Sequence, residues 1–230
     1  MAGVVDDLYV RAVRAALVGY LWFFAVIFIP AWTLHYWQGW AFFLTLSIST
    51  TLVTIYIALN DRGLLESRLH GGPAVEQTPA QKVITALASF VFVPAVVISV
   101  LDHRFRWSPD VPVWLSIAGN ALGVLGIVMY FFVVRENRHA AAAVVVVEGQ
   151  GVVSTGPYSI IRHPMYTGAL LACIGMPLAL GSWWGLLFVP LFVGWFAWRL
   201  LDEEEFLRAN LPGYEDYMHN VRYRLVPYVW

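Results

Sequence analysis

Four stretches of this chain, about 13–33, 40–59, 83–101 and 112–134, are apolar for the length of a bilayer crossing. A hydrocarbon core of about 30 Å takes roughly 20 residues of helix. In that medium every backbone N–H and C=O must be satisfied within the segment, and a lone segment does this as a helix. Two shorter apolar stretches, about 165–181 and 183–201, are separated only by Gly181-Ser182 and read as a tight helical hairpin. The expected fold is all-α, a polytopic membrane protein with about six crossings. Composition agrees: 60% of residues are hydrophobic and only 13% are charged, where a soluble domain carries about 25%. The first stretch is too long and too aromatic for a cleaved signal peptide, so it is expected to stay as an anchor.

Charge orients the helices. Six crossings put both termini on one side. That side then holds every Lys and Arg except Arg104 and Arg106, out of 14 in all. The positive-inside rule makes it the cytoplasmic side. Trp32, Trp37 and Trp40, on the opposite side around the first turn, read as an interfacial belt. A net charge of -1 argues against a broad nucleic-acid surface. One lysine, Lys82, stands against thirteen arginines, which points to a bacterial source and so to an inner membrane. The lone Cys173 excludes an intramolecular disulfide and reads as a small core residue.

The whole chain, 1–230, is expected to be a single integral membrane domain, with 1–110 supplying N-terminal spans and 111–230 a core that carries the motifs. Residues 60–82, with Gly71-Gly72-Pro73, read as a connection whose piece near Leu64-Leu65-Glu66 lies on the surface. Val144–Val147 and Val152-Val153, flanking Glu148-Gly149-Gln150-Gly151, are expected to pair as a short hairpin.

Polar groups are costly in so apolar a chain, and they concentrate in two places. The first is Gly156-Pro157-Tyr158-Ser159-Ile160-Ile161-Arg162-His163-Pro164-Met165-Tyr166-Thr167-Gly168. Pro164 suits the first turn of a helix, where its missing N–H costs nothing. His163 would then stand at a helix N-terminus whose N–H groups favour an anionic ligand group, with Arg162 as a second contact. Gly168, one turn inside, would let a ligand or another backbone approach. The plainer alternative is a structural turn in which His163 caps the helix and Gly168 packs it. The second place is Asp202-Glu203-Glu204-Glu205. One or two of these carboxylates could face a pocket, binding hydroxyl or amino groups or acting as a base. The alternative is a solvated face with Arg199–Glu203 and Glu204–Arg208 pairs. Tyr214 and Tyr217 share a helix face and would either stack on a ligand or anchor a helix among headgroups.

Both places follow cytoplasmic helix ends, and the hairpin between them brings them together. A site there would be open to a water-soluble cofactor on one side and lipid on the other. The histidines show no ligand spacing, so no metal is expected. No P-loop and no strand–GxGxxG–helix unit is present, so no Rossmann nucleotide site is expected. The spans hold almost no charge, unlike those of a transporter.

Gly156-Pro157-Tyr158 followed by Arg162-His163-Pro164-Met165-Tyr166-Thr167-Gly168, and Arg199 with Glu203-Glu204, Leu207, Tyr214, Tyr217, Val221 and Pro227, resemble the two motifs of the isoprenylcysteine carboxyl methyltransferase and phospholipid methyltransferase family. The resemblance covers roughly residues 120–230. It implies a membrane-embedded enzyme that uses S-adenosylmethionine at a non-Rossmann site. It also implies that Tyr158, Arg162, His163, Tyr166, Gly168, Glu203, Tyr214 and Tyr217 bind the cofactor, with Arg199 and Glu204 nearest the methyl acceptor. The acceptor would be lipid-like, with a prenylated-cysteine carboxylate as the name-giving case; an amine headgroup, a thiol or an isoprenoid acid fits equally. One departure is a tail one residue longer, ending Pro227-Tyr228-Val229-Trp230. That ending resembles membrane sterol reductases, which bind NADPH, and a non-catalytic lipid-binding protein is the further alternative.

Overall fold

The computed structural model describes residues 2–69, 76, 79–137, 146 and 149–230, with side chains from Asp7 onward. Its elements are α1 (Ala2–Ala31), α2 (Trp37–Asn60), α3 (Arg62–Leu69), α4 (Pro79–Phe105), α5 (Val113–Glu136), α6 (Pro164–Ala179), α7 (Val189–Asn210) and α8 (Tyr214–Asn220). Short 3-10 turns over Gly156–Ser159 and Trp184–Phe188 precede α6 and α7. No strand occurs among the described residues. The all-α expectation therefore holds. The hairpin expected over 144–153 lies partly outside the described residues, and its described part, 146 and 149–153, is not a strand.

Among the described residues, five helical segments are long and apolar enough to cross a membrane: Asp7–Ala31, Trp37–Asn60, Pro79–Phe105, Val113–Glu136 and Trp184–Asn210. Between the last two lies α6, a shorter apolar helix of 16 residues, about 24 Å long at a rise of about 1.5 Å per residue. The turn after it contains Gly181, whose φ of +73° suits a residue without a Cβ.

α5 and α6 approach so closely that only glycine fits between them. A Cβ on Gly168 would sit 2.6 Å from the carbonyl oxygen of Gly126, and one on Gly119 would sit 2.5 Å from that of Gly175. Two glycines per helix, each pair seven residues apart, thus form one seam. Inside a bilayer the hydrophobic effect gives helices no reason to associate, and such small-residue seams supply close packing instead.

One cluster of buried side chains, including Ile27, Tyr36, Phe42, Val96, Met176, Phe196 and Leu225, joins α1, α2, α4, α6, α7 and the tail. A second seats Leu64 and Leu65 of α3 against Leu8, Val53, Ile57 and Val134. The piece near Leu64 therefore packs on protein instead of lying on the surface. Trp40 also turns inward, against Phe24 and Phe28 with centroids 5.8 and 4.6 Å away, while Trp32 and Trp37 stay exposed.

At the end of the bundle where α4 meets the α6–α7 turn, Asp102 organises the fold. It accepts from the Ser108 N–H (2.8 Å), the Ser108 hydroxyl (2.7 Å) and the Ser182 hydroxyl (2.6 Å). Nearby, the Tyr36 hydroxyl donates to the Leu180 carbonyl at 2.5 Å. Asp102→Ala is expected to lower stability by about 1–3 kcal/mol, since three donors lose their acceptor. Thermal unfolding of the detergent-solubilised variant checks this.

Candidate active site

The knot folds as its residues dictate. Pro164 opens α6, with His163 at the N-cap position. Just upstream, Gly156 takes a φ of +57° and faces Glu136 at the end of α5. The N–H groups of Arg162 and His163, expected to greet an anionic ligand, are used differently. They donate to the carbonyls of Tyr223 (2.9 Å) and Arg224 (3.0 Å) in the tail. The Thr167 hydroxyl extends the seam by donating to the Leu225 carbonyl at 2.8 Å. The tail is therefore strapped along the start of α6.

Glu204 is the hub beneath this strap. Arg162 Nε donates to its Oε1 at 2.7 Å, and Arg224 Nε donates to its Oε2 at 2.9 Å. His163 Nε2 lies 3.1 Å from Oε1, and since a carboxylate only accepts, that nitrogen carries the proton. Arg162 Nη1 also donates to the carbonyls of Val221 (2.9 Å) and Arg222 (3.2 Å). Arg162, His163 and Glu204 are all buried. Arg162 is thus a clamp between α6, α7 and the tail, not an anion contact awaiting a ligand. Glu204 is likewise committed on both oxygens and does not line the cavity described below. Where the resemblance implies a place beside the methyl acceptor, these contacts have it hold α6, α7 and the tail together.

Glu203, one residue earlier and about 100° around the helix, faces the other way. The Tyr166 hydroxyl donates to its Oε2, and its Oε1 lies 4.0 Å from His163 Nδ1. Arg199 Nε donates to the Tyr166 oxygen at 3.2 Å, and Arg199 Nη2 donates to Glu76 Oε1 at 2.6 Å. The Thr85 hydroxyl holds that same Glu76 oxygen at 2.9 Å. A polar line therefore runs Glu203–Tyr166–Arg199–Glu76–Thr85 across α7, α6 and α4. α7 does not stop at the acidic run but continues to Asn210. The alternative i,i+4 pairs on α7 do not form, because Arg199 goes to Glu76 and Arg208 to Glu215 (3.3 Å).

Three tyrosines complete the wall. The Tyr217 hydroxyl donates to the Tyr158 carbonyl at 2.8 Å, and Asn137 Nδ2 donates to the Tyr158 oxygen at 3.2 Å. The Tyr214 and Tyr217 rings lie 5.7 Å apart. Burial pushes the Tyr158 phenol up to about 12 and raises those of Tyr214 and Tyr217 further. All three stay neutral donors at ordinary pH.

These groups enclose a cavity of about 420 Å³, within the range of about 300–1,000 Å³ usual for small-ligand sites. Tyr158, Arg162, His163, Tyr166, Arg199, Glu203, Tyr214 and Tyr217 all line it, as the sequence leads one to expect. Gly168 does not; its close approach is to Gly126, so it packs helices. Glu76 and Arg68 were not legible as site residues. Arg68 lines the cavity from α3, with its guanidinium 4.9 Å from the Tyr130 ring centroid and its pKa lowered by burial. Both fall in the stretch read as a simple connection.

A second cavity, of about 280 Å³, lies beside the first. Ala88, Trp195 and Phe196 line both, and beyond them it is apolar, reaching Phe92, Cys173 and Trp22 on α4, α6 and α1. The two are neighbours across Ala88, Trp195 and Phe196, with charged side chains lining the first, polar chamber and none lining the second, apolar one.

Comparison with known proteins agrees with this geometry. Residues 114–212 match the family model described as phospholipid methyltransferase. That span takes in the glycine seam, the knot and the acidic run of α7, so the family resemblance seen in the motifs holds. A stretch of 132 residues is 25% identical to the nickel-cobalt-cadmium resistance protein NccN of Alcaligenes xylosoxydans xylosoxydans, covering 55% of this chain and 57% of that one. The chain thus spans little more than half the length of that relative. The five long apolar helices and the similarity of residues 114–212 to that family support an integral membrane protein.

Proposed function

We propose, from the match of residues 114–212 to the phospholipid methyltransferases, that this protein moves a methyl group from S-adenosylmethionine to a lipid-like acceptor at the cytoplasmic face of a membrane. The observation that carries the reading is a pair of neighbouring cavities that share Ala88, Trp195 and Phe196, the first lined in part by charged side chains and the second by none. A water-soluble donor and a hydrocarbon chain need that combination in one site.

The polar chamber's residues suit the donor. Tyr158, Tyr214 and Tyr217 offer aromatic faces for an adenine ring or a sulfonium. Glu203, held by Tyr166 and only 17% exposed at its side chain, offers a carboxylate to hydroxyl or amino groups. When bound, the donor supplies an electrophilic methyl carbon on a positive sulfur. The protein's own contribution is placement: a site that aligns two reactants and excludes water supplies much of such a reaction's rate. The Glu204 hub contributes indirectly, by fixing α6 and α7 so that Tyr166 and Glu203 meet. In the apolar chamber, Phe92, Cys173 and Trp22 would hold the acceptor's hydrocarbon. The competing NADPH reading wants basic groups for a 2′-phosphate; of the arginines lining the cavity, Arg162 and Arg199 are each paired with a glutamate, and Arg68 is the group that reading would use.

Calorimetric titration of the purified protein with S-adenosylmethionine and with NADPH tests this assignment. Saturable binding of the methyl donor is expected, weakened about tenfold or more by Glu203→Ala, the scale of one lost hydrogen bond to a charged group. Binding of NADPH in its place would overturn it.

A further inference from the structure

We propose that Arg68 is a donor-binding residue: from the end of α3 it receives the carboxylate of the donor's amino-acid end, while Glu203 answers the ammonium group of that same end. This role rests on the methyltransferase reading above, and Arg68 lies outside the span, residues 114–212, that carries the family match.

Three arginines, Arg68, Arg162 and Arg199, line the first cavity. Arg162 meets Glu204 at 2.7 Å and holds carbonyls of the tail, and Arg199 meets Glu76 at 2.6 Å. Arg199 keeps Nη1 without a partner among the described residues, so it can add a hydrogen bond, but its charge has a carboxylate beside it. Arg68 sits differently. Its guanidinium lies 4.9 Å from the Tyr130 ring centroid, and its Nη2 donates to the Met165 sulfur at 4.0 Å. A thioether is a weak acceptor, and a carboxylate oxygen would replace it with a stronger one. Burial lowers the pKa of Arg68, a cost that an anion seated against it would offset.

The side chain is held where this contact needs it. Leu64 and Leu65, one turn earlier on α3, are buried against Leu8, Val53, Ile57 and Val134, which fixes the helix end that carries Arg68. Met165 stands between Pro164, which opens α6, and Tyr166, whose hydroxyl donates to Glu203. Arg68 therefore touches α6 one residue away from the group that holds Glu203. Tyr158 registers the same closeness. Beyond burial and its bond from Asn137, its phenol responds to two opposed charges, Glu203 raising its pKa and Arg68 lowering it.

S-adenosylmethionine ends in an α-amino acid, with a carboxylate and an ammonium group on one carbon. A chamber wall with a guanidinium and a carboxylate near one tyrosine ring is complementary to that zwitterion. The planar guanidinium can give a carboxylate two parallel N–H donors.

Calorimetric titration tests this with S-adenosylmethionine and its decarboxylated form, which keeps the adenosine, the sulfonium and the amine and lacks only the carboxylate. Wild type in detergent should bind the complete donor at least about tenfold tighter, the scale of hydrogen bonds to a charged group. Arg68→Gln should bring the two affinities within about threefold of each other, by weakening the complete donor and leaving the decarboxylated form nearly unaffected. Arg68→Lys, which keeps the charge and loses the fork, should fall between. If Arg68→Gln does not fold, the wild-type ratio and Arg68→Lys decide, an unchanged ratio in the lysine protein counting against the contact. Equal binding of both forms by wild type, or loss of both by the same factor in Arg68→Gln, would overturn the role of Arg68. An unchanged donor ratio in Arg68→Gln with weaker binding of dioctanoyl phosphatidate would also overturn it, by giving Arg68 to a phosphate of the acceptor. Failure of the methyltransferase reading is distinct: wild type then binds neither form of the donor, and the role of Arg68 falls with it.

Discussion

Glu204→Ala should be the most damaging single substitution in the chain, lowering stability by about 3–5 kcal/mol, the scale seen when one partner of a buried ion pair is removed. The carboxylate is 3% exposed and answers Arg162 and Arg224, with His163 on the same oxygen as Arg162. Removing it leaves the buried Arg162 guanidinium without its counter-charge, beside the partly exposed Arg224. The strap of the tail along α6 should loosen with it, because Arg162 also holds the carbonyls of Val221 and Arg222. Arg224→Ala should cost less, since that side chain is 28% exposed and water can replace it. Thermal unfolding in detergent, followed by tryptophan fluorescence, orders the two variants. A Glu204→Ala protein that melts like wild type and loses only turnover would return Glu204 to the acceptor.

Gly168→Ala is the second large effect. The new Cβ would sit 2.6 Å from the Gly126 carbonyl oxygen and 3.1 Å from Met129 Cβ, so α5 and α6 must part. Overpacking of this kind costs about 1–3 kcal/mol, and here it displaces the helix that carries His163 and Tyr166. Stability and donor binding should fall together. Gly194→Ala is the control, because nothing lies within 4 Å of its added Cβ, and it should be neutral. If Gly168→Ala kept its melting temperature and lost only donor binding, Gly168 would belong to the cavity after all.

These two residues mark where the sequence stops informing. Glu203 and Glu204 are chemically alike and adjacent, so which one meets the ligand depends on the rotation of α7. That rotation is fixed by Arg162 and by Arg224, 42 and 20 residues away from Glu204. Gly168 is different, because a signal was present. Gly119 and Gly126 repeat the seven-residue spacing of Gly168 and Gly175, and reading the two helices together would have paired them. Helix positions were legible because apolar length is a direct physical demand of the bilayer, and Pro164 marked the start of α6 for a local steric reason. Glu76 was not legible. Its pairing with Arg199 spans 123 residues, and nothing near it in the chain marks a carboxylate that leaves solvent.

The central claim is that one site joins a soluble methyl donor to a lipid acceptor, and transfer itself tests it most directly. Purified protein would be incubated with S-adenosylmethionine labelled in its methyl group and with vesicles of total bacterial membrane lipid. The expected result is label in the lipid phase, reduced at least about tenfold in a Glu203→Ala protein shown to be folded. A folded wild-type protein that leaves all label in the aqueous phase would contradict it.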